Sequence, residues 1–411
     1  MGKGGGLNPL SVGIVGCGTA GQAAAIFLRR AGHRVTILER APTLSPIGAG
    51  LLIQPTGMEV LNELGVLPHL LQQGSRVKYL KGVNRSGRVI LDLAYEDLRP
   101  GLFGLGVHRG ELFTTLQSAV LASGAEVVCG FDAASMRESG PAQRTVVDVS
   151  GNTRGPFDLV VIADGARSSL RAKSGNVRRA HQYPWGALWL VATDPDGNYG
   201  ETLGQIYGGT RSMIGFLPSG SVRGSPRTVS VFWSVPCGAV ESIRRSGLEA
   251  WRTSVRQLTN QAEPILVQVR DMDQLIFAAY QDVVMDPCPG GPVAFLGDAA
   301  HAMSPQLGQG ANLALMDAWA LARSLDLSGS IPDALVSYRA ERAANVRFYQ
   351  LASRWLTPVF QSRLEWITPV RDLCMGPAGN VGWIRREMLR SLAGVKTGLF
   401  SSRPLPQPMV Q

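Results

Sequence analysis

Cysteine is scarce and scattered in this chain of 411 residues: Cys17, Cys129, Cys237, Cys288 and Cys374 never form a CxxC pair. That spacing suggests neither a disulfide framework nor a thiolate zinc site, and it suits a reducing compartment. Long apolar runs are also missing. No stretch reaches the roughly 18 to 20 apolar residues of a membrane span, and Met1 to Leu10 is Gly-rich, without the basic-then-apolar order of a signal peptide. A cytoplasmic location without an integral membrane segment is expected. The five histidines are too few and too far apart for a transition-metal site, and the acidic group Glu59, Glu63, Asp92, Glu96 and Asp97 has no ligand pattern, so no metal is expected. The net charge of +9 comes from Arg and Lys spread along the whole chain. No basic block alternates with aromatics, which speaks against a nucleic-acid partner, although a positive field would attract a dinucleotide or an acidic substrate.

What is present is a large apolar content, 45% of the residues, enough for a chain of roughly two to three domains. Near its start an apolar strand, Leu10 to Val15, leads into Gly16-Cys17-Gly18-Thr19-Ala20-Gly21, a helical stretch from Gln22 to Ala31, and a second strand, Arg34 to Leu38, ending at Glu39 and Arg40. This is a βαβ unit for a dinucleotide. Gly16 permits the tight turn, Gly18 lets backbone amides approach a pyrophosphate, Gly21 lets helix and strand close up, and Glu39 can accept from a ribose diol. NAD and FAD both suit such a unit.

Two later segments separate them. One is Asp158 to Arg171, an apolar strand running into Ala163-Asp164-Gly165-Ala166-Arg167; the other is Ala294-Phe295-Leu296-Gly297-Asp298-Ala299-Ala300-His301, followed by Ser304-Pro305 and Gly308-Gln309-Gly310-Ala311-Asn312. In that last segment a carboxylate follows a strand end and a Gly-rich loop opens a helix at about Asn312 to Arg323, so backbone amides and a positive helix terminus would face one end of a flavin ring. His301, alone after a Gly-Asp turn, reads as a hydrogen-bonded structural group.

With Gly48-Ala49-Gly50-Leu51 and Val107-His108-Arg109-Gly110-Glu111-Leu112 in the same order, the set resembles the fingerprints of the FAD-dependent aromatic hydroxylases, the group A flavoprotein monooxygenases. The resemblance runs to about Asn345. It implies an α/β fold: a Rossmann-like FAD-binding domain of the GR2 type, an inserted mixed β-sheet substrate domain and a C-terminal helical segment. The FAD-binding domain would be discontinuous, residues 6–75, 100–179 and 281–345, with the substrate domain at 76–99 and 180–280 and a helical cap and tail at 346–411. The resemblance also implies that Gly16, Gly18, Thr19, Ala20, Gly21, Glu39 and Arg40 hold the ADP half of FAD, with Gly50 nearby. Arg109 would reach the ribityl and pyrophosphate region, Asp164 and Gly165 would form the Asp-Gly motif, and Gly297 and Asp298 would serve the ribityl chain. Pro305, Gly308, Gly310, Ala311 and Asn312 would lie near the flavin ring.

Its mechanism would use NADH or NADPH to reduce FAD, O2 to form a C4a-hydroperoxide, and that electrophile to oxygenate a small aromatic, phenolic or polyketide-like substrate, most naturally by hydroxylation. For the substrate pocket, Trp189, Tyr207, Phe216 and Trp233 offer aromatic faces and Arg211 a guanidinium for a carboxylate or phenolate. Alternation sets Trp233 with Val231 on one strand face and Phe232 with Ser234 on the other. From Val346 onward Tyr349, Trp355, Phe360, Trp366 and Ile367 fall in helical segments broken by Pro358, Pro369 and Pro377, and Ser401 to Gln411 is a Pro-rich tail. Three rival readings stand beside the main one. A quinone or polyprenyl hydroxylase would make peripheral contact with a membrane; a flavin-dependent halogenase is echoed faintly by Val231 to Pro236; a non-catalytic protein would keep the fold without the flavin. No coiled-coil or self-complementary segment indicates an oligomeric state.

Overall fold

The computed structural model describes residues 7–45, 48–140, 142–221 and 225–407. Gly6, the expected start of the first segment, lies outside the described residues, as do the rest of Met1–Gly6 and residues 408–411 of the Pro-rich tail. Strands Ser11–Val15 and Arg34–Glu39 pair in parallel across helix Thr19–Arg30, with Val12 beside Val35 and Ile14 beside Ile37. They belong to a five-stranded parallel sheet in the order Val293–Phe295, Leu159–Ile162, Ser11–Val15, Arg34–Glu39, Glu126–Cys129. Leu159–Ile162 is buried throughout, and this two-sided burial explains its continuous apolar run. Val12, Ile14, Leu159 and Val161 face the helices, among them Thr19–Arg30 and Gly310–Leu327. Val15, Val160 and Ile162 face the other way, onto Phe131, Val146 and Phe157 around a small antiparallel sheet.

The second large sheet has seven strands, ordered Ile276–Met285, Val177–Thr193, Thr228–Pro236, Ser212–Gly220, Thr202–Gly208, Tyr79–Asn84, Val89–Ala94. It is mixed, because Thr202–Gly208 runs parallel to Tyr79–Asn84 while the other neighbours are antiparallel. Its outer face, with Leu188, Ile214, Phe216, Val231 and Trp233, packs on Trp251 and Val255 of helix Val240–Arg256. Strands Val177–Thr193 and Ile276–Met285 run across the expected limits at 179 and 280 as one antiparallel pair, whose register shifts between Val177 and Arg179 and between Gln182 and Gly186.

C-terminal helices complete the architecture. Helix Ile331–Phe360, 30 residues long, starts in the core of the parallel sheet with Ala334, Leu335 and Tyr338 and ends with Phe360 against Tyr207. The expected division at 345/346 therefore falls inside one helix. The helix runs on through Pro358 to Phe360, and Pro369 stands in the first turn of Ile367–Gly379, where its missing N–H is tolerated. The chain turns instead at residues 361–366. Arg354 donates from Nε and Nη2 to the buried Asp282 carboxylate at 2.9 to 3.1 Å, fastening the long helix to strand Ile276–Met285. No helix among the described residues is long and apolar enough to cross a membrane.

Candidate active site

The carboxyl end of strand Ser11–Val15 opens onto a cavity. Gly16 has φ +101°, and a Cβ there would lie 2.5 Å from the Ala163 carbonyl oxygen; one at Gly21 would lie 2.0 Å from the Gly16 carbonyl oxygen. The chain's own packing dictates both glycines. Gly18 is different, because its φ of −81° suits any residue and nothing stands within 4 Å of a Cβ placed on it. Gly18, Thr19 and Ala20 line the cavity at the start of a helix whose first amides lack intrahelical acceptors. Glu39 sits behind this turn, accepting from the Cys17 amide at 2.7 Å and the Ala41 amide at 2.9 Å, with lone pairs left over for a further donor. Arg40 is exposed beside it.

The other two segments meet the first from the side. Gly165 lines the cavity at φ +83°. Burial pushes the Asp164 carboxyl above its usual range against the opposing pull of Ser168 and Arg171. Arg171 is a residue that motif reading passed over: it donates to the carbonyls of Ala166 and Ala299 at 2.7 and 3.1 Å and so ties the Asp164 turn to the Asp298 turn. Asp298 begins a short helical turn and faces the cavity, as do Pro305, Gly308, Gly310 and Ala311. Gly308, at φ +61°, turns the loop into helix Gly310–Leu327. Gly50 and Arg109 close this side, and Arg109 has no carboxylate partner among the described residues.

Asn312 does not join that wall. Its side chain accepts from the Gln54 amide at 2.8 Å and donates to the Gly308 carbonyl at 3.0 Å, so it shapes the loop from behind. Gly297 likewise stands behind, donating to Asp317 at 2.8 Å. His301 is buried with Nε2 at 2.5 Å from Asp317, whose other oxygen accepts from Arg342 at 2.7 Å. Burial alone would raise the Asp317 carboxyl, but the charges of His301 and Arg342 and their hydrogen bonds outweigh it and hold it at about 2. This network is structural.

The inner face of the seven-stranded sheet forms the opposite wall. Trp189 and Tyr207 line it, together with Ala187, Gln205, Met213, Phe232 and Tyr280. Tyr207 donates to Gln205 Oε1 at 2.7 Å, and burial raises the phenols of both Tyr207 and Tyr280, keeping them protonated donors. Three expected pocket residues lie elsewhere. Trp233 and Phe216 point through the sheet to its outer core, where Phe216 stacks on Tyr199 at 5.1 Å. Arg211 stands in a turn and pairs with Glu365 at 2.6 Å. In strand Thr228–Pro236 the inward aromatic is Phe232, 5.0 Å from Trp189. The signal was available in Val229, Val231, Trp233 and Val235, a uniformly large apolar set that marks the core face, against the mixed Ser230, Phe232 and Ser234.

The cavity between these walls holds about 1390 Å³, more than the 300–1,000 Å³ usual for a single small ligand. Residues 9–349 match the family of the FAD binding domain. The chain belongs to that FAD-binding family. The aurachin C monooxygenase/isomerase of Stigmatella aurantiaca is 29% identical over 89% of this chain and 94% of its own length. The 3-amino-4-hydroxybenzoate 2-monooxygenase of Streptomyces cremeus is 28% identical over 85% and 88%. Among solved structures, the tetrameric 2-methyl-3-hydroxypyridine-5-carboxylic acid oxygenase shares the fold with a TM-score of 0.76 at 23% identity, covering 93% of this chain and 96% of that one.

The residues present fit an FAD. Besides the open space over Gly18, four buried polar atoms around this site have no hydrogen-bond partner among the described residues: Asp164 Oδ1, Gln54 Nε2, Ser304 Oγ and Gln309 Oε1. Each buried, unsatisfied polar group costs about 1–3 kcal/mol. Donors and acceptors left open around one cavity are the complement of a large polar ligand. Gln309 is half committed, since its Nε2 donates to the carbonyls of Ser391 and Leu392 at 3.3 and 2.7 Å.

Proposed function

We propose that this flavoprotein is a single-component monooxygenase that uses NADH or NADPH and O2 to insert one oxygen atom into a small aromatic or phenolic substrate, releasing water and oxidised nicotinamide. The observation that carries the reading is one cavity with two unlike walls, a glycine and amide cradle on one side and an aromatic sheet face on the other. FAD, when bound, supplies the redox chemistry with the donor and with oxygen. The protein's part is binding, orientation and exclusion of water. In this reading the helix start at Gly18–Ala20 receives the pyrophosphate, Glu39 the ribose, and Arg109 and Asp298 the phosphate and ribityl portions. The amides at Gly308–Ala311 face the ring, where a positive helix terminus favours an anionic reduced form. Trp189 and Phe232, side by side on one sheet face, would offer an aromatic surface on which a planar substrate lies, the Tyr207–Gln205 pair can orient a polar substituent, and the apolar remainder of the wall keeps water from the reacting centre.

The test is an absorption spectrum of the purified protein, followed by NADH and NADPH consumption with and without a panel of phenols, aromatic acids and polycyclic ketones. Bound flavin with consumption stimulated by an aromatic, and a product heavier by one oxygen, is the expected result. A protein that takes up no flavin after incubation with FAD would end this proposal.

A further inference from the structure

We propose that the C-terminal helices form a second subsite, a gallery for the hydrocarbon tail of an amphiphilic aromatic substrate whose ring lies against the sheet face. This rests on the monooxygenase reading and narrows its substrate class. The cavity does not end at the sheet. It continues unbroken between one face of helix Ile331–Phe360 and helix Gly382–Ala393 and reaches the segment Lys396–Leu399. On the long helix its wall is Phe348, Leu351, Ala352, Trp355 and Leu356, a spacing of three and four that keeps them on one face. From Ala344 to Leu356 that face runs about 18 Å at 1.5 Å per residue.

Facing it are Trp383, Ile384 and Met388. Had the two helices simply packed together, these side chains would be buried against one another. Instead Trp355 is 79% and Trp383 65% exposed although both line the same cavity. An apolar lining left open to this extent marks a binding surface. The inner charges at this end are already partnered. Lys396, buried, contacts Glu387 and donates to the Leu399 carbonyl at 2.7 Å, and Arg390 contacts Glu387 as well. Arg347 stands exposed at the rim. A sugar or a charged chain would find few open partners along this length, and a single planar ring is far too short to fill it. A flexible hydrocarbon chain, continuous with a ring at the sheet, meets both conditions.

The test uses the FAD-loaded protein and para-alkylphenols with side chains from methyl to decyl as probes, with dissociation constants read from the perturbation of flavin absorbance. Each buried methylene is expected to tighten binding about fourfold until the gallery is filled. Ala352→Phe, which plugs the channel midway, should flatten the dependence on chain length, and Trp355→Asp, at an exposed position where misfolding is not expected, should weaken long-chain members more than short ones. Affinity independent of chain length in the unaltered protein, or the same slope in both variants, overturns the gallery. Because binding is read without turnover, the two proposals fail separately. Long-chain compounds that bind by this rule and are never oxidised would sink the monooxygenase reading alone, and oxidation of short phenols with no chain-length slope would sink the gallery alone.

Discussion

Gly18 and Gly16 look alike in the motif, yet they answer to different forces. A Cβ at Gly16 would collide with the protein itself, whereas one at Gly18 meets no atom within 4 Å and the backbone there is unstrained. Gly18→Val is therefore expected to fold with an unfolding midpoint close to the parent's and to lose FAD, as measured by flavin absorbance per protein after desalting. A variant that keeps stoichiometric flavin would show that no ligand backbone approaches this turn. Asp298→Ala removes a carboxylate that faces the cavity. It should weaken FAD retention severalfold while changing the stability of the flavin-free protein by no more than about 0.5 kcal/mol, the usual range for a surface change; a titration of the apoprotein with FAD decides it.

At the scale of elements, alternation along strand Thr228–Pro236 assigns neighbouring aromatics to different tasks. Trp233→Ala opens a hole in the outer core and is expected to cost about 3–5 kcal/mol, seen as a lower unfolding midpoint. Phe232→Ala should instead raise KM for the stimulating aromatic, or uncouple NAD(P)H consumption from product, with flavin content retained. Much of this was legible in the chain. Strand ends at Val15, Ile162 and Phe295, each followed within three residues by a glycine, the last two with an aspartate beside it, mark the cofactor side. The face of a strand was harder to read, since Trp233 and Phe232 are equally apolar and only the company each keeps decides which is buried. Arg211 looked like an anion partner until Glu365, 154 positions on, came beside it. No local pattern announces such a partner. The same holds for helix Gly310–Leu327, anchored by Asp317 to His301 and Arg342. Asp317→Asn would leave Arg342 buried without its counter-charge, a loss of about 3–5 kcal/mol. With its carboxyl held at about 2, below the ordinary 3.8, Asp317 stabilises the fold fully above pH 4, and that contribution disappears as pH falls from about 4 towards 2. Unfolding midpoints across this window should drop in the parent and drop less in the variant.

For the whole molecule, the long helix Ile331–Phe360 makes the C-terminal region part of both sheets rather than an appended cap, since it begins in one core and ends against the other. Helix Gly382–Ala393 and the segment after it line the far end of the cavity. That segment is held by Asn345, whose Nδ2 donates to the Lys396 carbonyl at 2.7 Å, and by Tyr349, which donates to the Ser391 carbonyl at 2.8 Å. Gln309 belongs to the loop at the proposed ring site, yet its amide holds the same stretch of chain through Ser391 and Leu392. One side chain thus has a stake in both chambers, and equilibrium thermodynamics then demands reciprocity. Whatever factor a long-chain ligand adds to the affinity for FAD, FAD must add to the affinity for that ligand. Gln309→Leu should bring both factors towards one together, and isothermal titrations of each ligand in the presence and absence of the other would measure them.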